Sequence, residues 1–253
     1  MRNTHPTLYE KKMNLLYIKS MKKQRLLQCI LFSLLLFTAI LIRAQEPTKP
    51  PLGCDPCKKG DLVELVKLDS TIKLDIRYAT ENNFAGMAVY PEARAFLQRP
   101  AAEALLTAHH WLKKQGYGLI IYDAYRPWSV TKLFWDITPQ DKRAFVANPA
   151  VGSVHNRGCA VDVGLYKLTS GLAADMPGDY DEMTERSFIT YTGGTAEQRA
   201  HRDLLRKAME REGSFTVYRK EWWHYDFKDY KDYPILNIPF SSISQTKEQN
   251  QIK

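Results

Sequence analysis

The chain has 253 residues, enough for one good core or two small ones, and a formal charge of +8 that on its face suggests nucleic acid or an anionic membrane. The distribution of that charge argues otherwise. Residues 1–44 carry eight Lys/Arg against Glu10, a balance of +7, while the remaining 28 basic and 27 acidic residues balance to +1. A nearly neutral body gives a nucleic-acid partner little support.

In chain order, Lys22, Lys23 and Arg25 form a positive start. Leu26 to Ile42 is apolar apart from Gln28, Ser33 and Thr38, and Arg43-Ala44-Gln45 returns the chain to polarity. This is the grammar of a secretory signal over residues 1–44, with a cut near Ala44 and Met21 as an alternative start. An uncut membrane anchor is the rival, but the apolar run is about 17 residues, the lower limit for a span. With the leader removed no stable membrane span is expected, and the mature protein is placed outside the cytoplasm, in the periplasm.

Residues 45–60, with Pro47, Pro50, Pro51 and Pro56, read as an extended linker. Cys54 and Cys57 inside it can bond to each other in an oxidising compartment, or remain two thiols. The folded domain is expected over 61–240. Asp61–Leu68 and Thr71–Tyr78 alternate like strands, and Thr80–Tyr90 is a polar loop. Pro100 opens a helix whose Ala101, Leu105, Ala108 and Leu112 share one face, ended by Gly116 and Gly118. Gly118–Tyr125 reads as a strand, stopped by Pro127, and Trp128–Asp136 as a short helix. Cys159–Leu165 alternates again, pointing Val161, Val163 and Leu165 into a core. Thr195–Gly213 is helical, and Phe215–Tyr218 with Trp222–Phe227 suits a hairpin. Residues 241–253 are polar and read as a disordered tail. Helices and strands mix without regular β-α-β alternation. The fold class is therefore α+β, a single domain with a central, mostly antiparallel sheet flanked by helices and the chemistry at the sheet.

Ser153–Asp162 places His155 and Asp162 seven residues apart with Gly158 between them, so that a turn can bring both to one point. Glu221-Trp222-Trp223-His224 adds a second imidazole and a second carboxylate. Two His and one Asp are a common catalytic zinc set, because three protein ligands leave a fourth position open. Glu221 is then free to act as a base. In a regular strand Glu221 and His224 would point to opposite faces, so Glu221 has to sit in a turn before the strand or at a bulge. Arg126, at a strand end in Tyr125-Arg126-Pro127, is the best source of positive charge for an oxyanion. His109, His110 and His201 read as structural or surface residues, Cys159 as a small buried filler, and Trp222 and Trp223 as wall and core.

Ser153, His155, Gly158, Ala160 and Asp162 occupy every fixed position of S-x-H-x-x-G-x-A-x-D, and Glu221 and His224 form the E-x-x-H that completes it. The chain thus resembles the zinc D-Ala-D-Ala peptidases, the group of D-alanyl-D-alanine dipeptidases and related carboxypeptidases. Asp75-Ile76-Arg77-Tyr78 with Asn82-Asn83-Phe84, the doubled Trp, and Asp175-Met176 followed by Tyr180-Asp181 resemble its dipeptidase branch. The resemblance spans about residues 61–235. It implies one zinc ion on His155, Asp162 and His224, Glu221 as base, Arg126 on the transition state, and Ser153 and Asp175 on the substrate, with Asp175 meeting the ammonium of a D,D-dipeptide. The implied reaction is hydrolysis of D-alanyl-D-alanine to two D-Ala. The alternatives are a D,D-carboxypeptidase or L,D-endopeptidase acting on peptidoglycan stems, and a wall-binding module without catalysis. The export leader departs from the branch's usual cytoplasmic form.

Overall fold

The computed structural model describes residue 13, residues 21–30 and residues 47–243. Residues 21–30 are helical; the rest of the expected leader and its cut near Ala44 lie outside the described residues. Among the described residues, no helix is long and apolar enough to cross a membrane.

The body from residue 49 onward is built on seven strands: β1 (Leu62–Glu64), β2 (Lys73–Leu74), β3 (Phe96–Gln98), β4 (Tyr117–Asp123), β5 (Ala160–Lys167), β6 (Phe215–Val217) and β7 (His224–Phe227). Five form the main sheet in the order β2-β4-β5-β7-β6, in which only the β2–β4 pair is parallel. The α+β fold with a mostly antiparallel sheet is the one the residues suggest. β1 pairs instead with β3 in a separate antiparallel ribbon. The segment 61–68, read as one strand, divides into β1 and a helical turn, Leu65–Leu68. The expected strand 71–78 shortens to two residues, followed by a 3-10 turn at Arg77–Ala79. Runs this short fit either geometry by periodicity alone, and the choice falls to tertiary pairing.

The helix Arg99–Lys113 buries Ala101, Leu105, Ala108 and Leu112, at i, i+4, i+7 and i+11, against the sheet. His109 is buried on that side. Its Nδ1 accepts from the Leu119 amide at 3.2 Å and its Nε2 meets Thr71 Oγ1 at 2.9 Å, tying helix to β4. Burial pulls its pKa down to about 4, so it is a neutral strut, not a ligand. The helix Ala196–Met209 starts at a capping box formed by Thr195 and Gln198 and turns Leu205, Ala208 and Met209 inward. β5 lies in the middle of the sheet and is buried over nearly its whole length, with Val161, Val163 and Leu165 fully enclosed. Each such aliphatic side chain contributes roughly 1.5–3 kcal/mol of burial, which makes β5 a rigid base for what it carries.

Both flanks of the domain are more ordered than their composition suggests. The Pro-rich stretch is a strap and not a free tether: Leu52 O accepts from Ile235 N at 3.1 Å, and Asp232 O accepts from Lys58 N at 2.7 Å. Gly53 O takes Arg157 Nη2 at 3.2 Å. Gly53 has φ +82°, and a Cβ there would come within 2.8 Å of the Arg157 guanidinium, so the approach requires glycine. Cys54 and Cys57 form a disulfide within this strap. At the other end, Phe240 and Ile243 are buried in the core, so packing continues three residues into the stretch read as a tail. The remainder, 244–253, lies outside the described residues.

Candidate metal centre and cleft

Three backbone devices bring the motif residues together. The first is a 3-10 turn, His155–Arg157, closed by Gly158 at φ +68°. A Cβ on Gly158 would sit 2.4 Å from Leu62 Cδ2, so this turn is open only to glycine. The second is sheet register: Asp162 of β5 is directly opposite His224 of β7, a pairing that places side chains within contact distance across the strands. The third is the turn Tyr218–Trp223. Tyr218 O accepts from Glu221 N at 3.0 Å and Glu221 O from His224 N at 3.3 Å, which sets Glu221 just before β7. The geometric demand made on Glu221 by the sequence is met there.

The donor atoms converge. His155 Nε2 lies 3.1 Å from His224 Nδ1 and 3.3 Å from Asp162 Oδ1, and His224 Nδ1 lies 3.0 Å from Asp162 Oδ1. For ligands at about 2.0–2.1 Å from a tetrahedral zinc, adjacent donors stand about 3.3 Å apart. The triangle is close to that edge length, so the residues present fit a metal ion of this kind, and His155, Asp162 and His224 are the set that can hold one. The outer atoms are also occupied. His155 Nδ1 faces the Ala124 carbonyl at 2.7 Å, which fixes that nitrogen as the donor and turns Nε2 inward. Asp162 Oδ2 accepts from Tyr180 Oη at 3.0 Å. Although burial alone would raise the Asp162 carboxyl, the two imidazoles hold it far below the usual carboxylate range.

Glu221 Oε2 stands 3.9 Å from His224 Nδ1 without joining the triangle. Burial raises its pKa to about 7, against the pull of His224. Arg126 is also buried. Its Nη2 and Nε donate to Asp123 Oδ2 at 2.7 and 3.0 Å, and its guanidinium lies over the rings of Tyr78 and Phe134. Asp123 is in turn held by Tyr90 Oη at 2.8 Å, and a register shift in β4 places it opposite Asp162. Arg126, Tyr78, Phe134, Glu221 and the three donor residues line one cavity of about 290 Å³, together with Ser153, Trp223 and the segment 144–147. Ser153 Oγ accepts from His155 N at 3.2 Å, so it braces the turn as well as facing the cavity.

One expected site residue is not there. Asp175 is exposed and does not line the cavity. After β5 the chain doubles back, with Ala174 N bonded to Leu165 O and the Asp175 carbonyl held by His201 Nδ1, so Asp175 stays at the far end of the strand. By residue 181 the loop has returned to the metal end. Asp181 is the acid that enters the cavity, at φ +60° and accepting from Tyr78 Oη at 2.6 Å. Burial raises its pKa to about 8. The motif Tyr180-Asp181 was visible; which of two loop aspartates reaches the site depends on where the loop reverses. Asp226, also missed, had a plainer signal: it stands at i+2 from His224, on the same strand face.

A family model described as D-ala-D-ala dipeptidase matches residues 58–244. The D-alanyl-D-alanine dipeptidase of Escherichia coli (strain K12) is 33% identical over 181 residues, covering 72% of this chain and 92% of that protein. The enzyme of that name from Enterococcus faecium is 34% identical over 188 residues (65% of this chain, 93% of that protein). One from Enterococcus faecalis (strain ATCC 700802 / V583) is 37% identical over 189 residues (67% and 92%).

Proposed function

We infer, because the chain belongs to the D-Ala-D-Ala dipeptidase family, that it is a metallopeptidase that hydrolyses D-alanyl-D-alanine to two D-Ala. The observation that carries the reading is the placing of Glu221 beside, and not within, the triangle His155 Nε2, Asp162 Oδ1 and His224 Nδ1. A base next to a ligand set with an open position is a hydrolytic arrangement. The ion proposed for that set is zinc, which when bound would lower the pKa of a water and polarise the scissile carbonyl. Glu221, raised to about 7 by burial, takes the proton of the attacking water and hands it to the leaving amine. Arg126 supplies fixed positive charge for the developing oxyanion, its geometry held by Asp123 and by the Tyr78 and Phe134 rings.

The cavity, near 290 Å³, lies at the small end of the range for ligand sites, which suits a dipeptide. A free dipeptide also brings an ammonium, and Asp181 is the buried acid we assign to it. Asp181→Asn is expected to raise KM for D-Ala-D-Ala by roughly 10–100-fold with a smaller change in kcat, as loss of a charged hydrogen bond costs. Burial raises the Asp181 carboxyl above its ordinary range and a docked ammonium lowers it again, so ammonium binding and proton release are linked at this residue. Calorimetry in two buffers of different ionisation heat is expected to show proton release for the wild type near pH 7 and none for the Asn variant. Equal proton release in both would remove Asp181 from this role.

We place the enzyme outside the cytoplasm on the signal-like leader and on the Cys54–Cys57 disulfide, a bond that persists in oxidising compartments. Cell fractionation with an activity assay tests the placement. The reaction itself is tested by release of free D-Ala from D-Ala-D-Ala by the purified protein.

A further inference from the structure

The two imidazoles of the centre differ in what stands behind them. His155 Nδ1 is hydrogen-bonded to a backbone carbonyl, that of Ala124, at 2.7 Å, with Asp123 Oδ2 beyond hydrogen-bond reach at 3.8 Å. His224 Nε2 faces a carboxylate, Asp226 Oδ1, at 2.9 Å. Asp226 follows His224 by two residues along β7, so both side chains stand on the sheet face that lines the cavity. Its backbone is fixed in register between Ala160 of β5 and Thr216 of β6, and its side chain is about a quarter exposed (28%). Among the described residues no Lys or Arg pairs with it, so its placement is not explained by an ordinary ion pair.

We propose that Asp226 is a positioning residue for the metal centre: its carboxylate holds the Nε2–H of His224 and thereby aims the Nδ1 lone pair at the point shared with His155 Nε2 and Asp162 Oδ1. The inference rests on the reading of His155, Asp162 and His224 as ligands. Two physical effects combine. An imidazole on a strand can turn about its χ2 bond, and a ligand that binds through Nδ1, the nitrogen nearer the backbone, needs its ring held in one orientation. The acceptor also fixes the tautomer, since a carboxylate opposite Nε2 requires the proton there and leaves Nδ1 free to bind. In charge, the three ligands supply one negative charge to a dication, and Asp226 adds a second just outside them. A carboxylate behind a ligating histidine raises the ligand's basicity, and loss of such a partner typically costs 10–100-fold in metal affinity.

The test uses the full chain and zinc alone as probe. Zinc affinity is measured by competition with a chromophoric chelator for the wild type, Asp226→Ala, Asp226→Asn and Asp162→Ala, with thermal unfolding of each metal-free protein. Asp226→Ala is expected to bind zinc about 10–100-fold more weakly. Asp226→Asn, whose amide oxygen still accepts a hydrogen bond, is expected to fall between Ala and wild type. The metal-free unfolding midpoints of both are expected to match the wild type, which a merely structural role for Asp226 would not allow. Wild-type zinc affinity in a folded Asp226→Ala protein overturns the proposal while leaving the centre intact. Undiminished binding by Asp162→Ala overturns the ligand reading itself, and the inference with it.

Discussion

Glu221→Gln is expected to lower kcat for D-Ala-D-Ala by about 10²–10⁴-fold while leaving zinc affinity within a few-fold of wild type. The side chain is near-isosteric, so the turn Tyr218–Trp223, held by backbone bonds at 3.0 and 3.3 Å, keeps its shape. The three donor atoms 3.0–3.3 Å apart do not include Glu221, whose Oε2 stands 3.9 Å from His224 Nδ1. What the variant loses is a proton acceptor. The pH profile carries a second readout with a definite sign. A base works only when deprotonated, and burial raises Glu221 to about 7, so kcat/KM of the wild type is expected to rise with pH up to that region. A bound cation joins His224 and Arg126 in pulling the value down, so the limb is centred at or below pH 7. Loss of zinc binding in Glu221→Gln would show this carboxylate to be a ligand, and an unchanged rate would remove it from the chemistry.

The second large effect is expected at Arg126. Arg126→Lys should lower kcat about 10²–10³-fold, the usual consequence of removing one preorganised charge from an oxyanion site, with KM changed much less. Lysine is the informative replacement. Asp123 is almost wholly buried, and removing its partner altogether would leave an uncompensated charge costing roughly 3–5 kcal/mol of stability, which would obscure the kinetics. With lysine a cation remains beside Asp123, whose Oδ1 is still held by Tyr90 Oη at 2.8 Å and the Ala124 amide at 2.9 Å. What disappears is the fork. Among the described residues Nε and Nη2 of Arg126 are spent on Asp123, leaving Nη1 for the reacting oxygen, and an ammonium cannot divide its donors in that fixed plane. A lysine variant with wild-type kcat would reduce Arg126 to a partner of Asp123.

The centre was legible because its parts are local. His155, Gly158 and Asp162 lie within one turn and one strand, and Glu221 and His224 within four residues, so spacing alone constrains their geometry. The long elements were legible for the same reason: the helix Arg99–Lys113 carries a clear helical period, and strand β4 is a continuous apolar run bounded by Gly118 and Pro127. What remained hidden was set by pairing at a distance. β3 is three residues long, and its existence depends on β1, more than thirty residues earlier. The strap over residues 52–58 is held by Arg157, Asp232 and Ile235, none of which its own composition announces. Asp175 and Asp181 were equally eligible by residue type, and the bonds of Ala174 to Leu165 and of His201 to the Asp175 carbonyl decided between them.

The most direct measurement is release of free D-Ala by the purified protein, run with zinc, with a chelator, and beside a peptidoglycan stem pentapeptide. Turnover of D-Ala-D-Ala that the chelator abolishes and zinc restores is expected, with the pentapeptide left intact, because a blocked amine has no ammonium to offer Asp181 in a cavity near 290 Å³. Trimming of the pentapeptide with the dipeptide untouched would contradict that expectation and make the protein a carboxypeptidase. Silence on both substrates with zinc bound would contradict the catalytic reading as a whole.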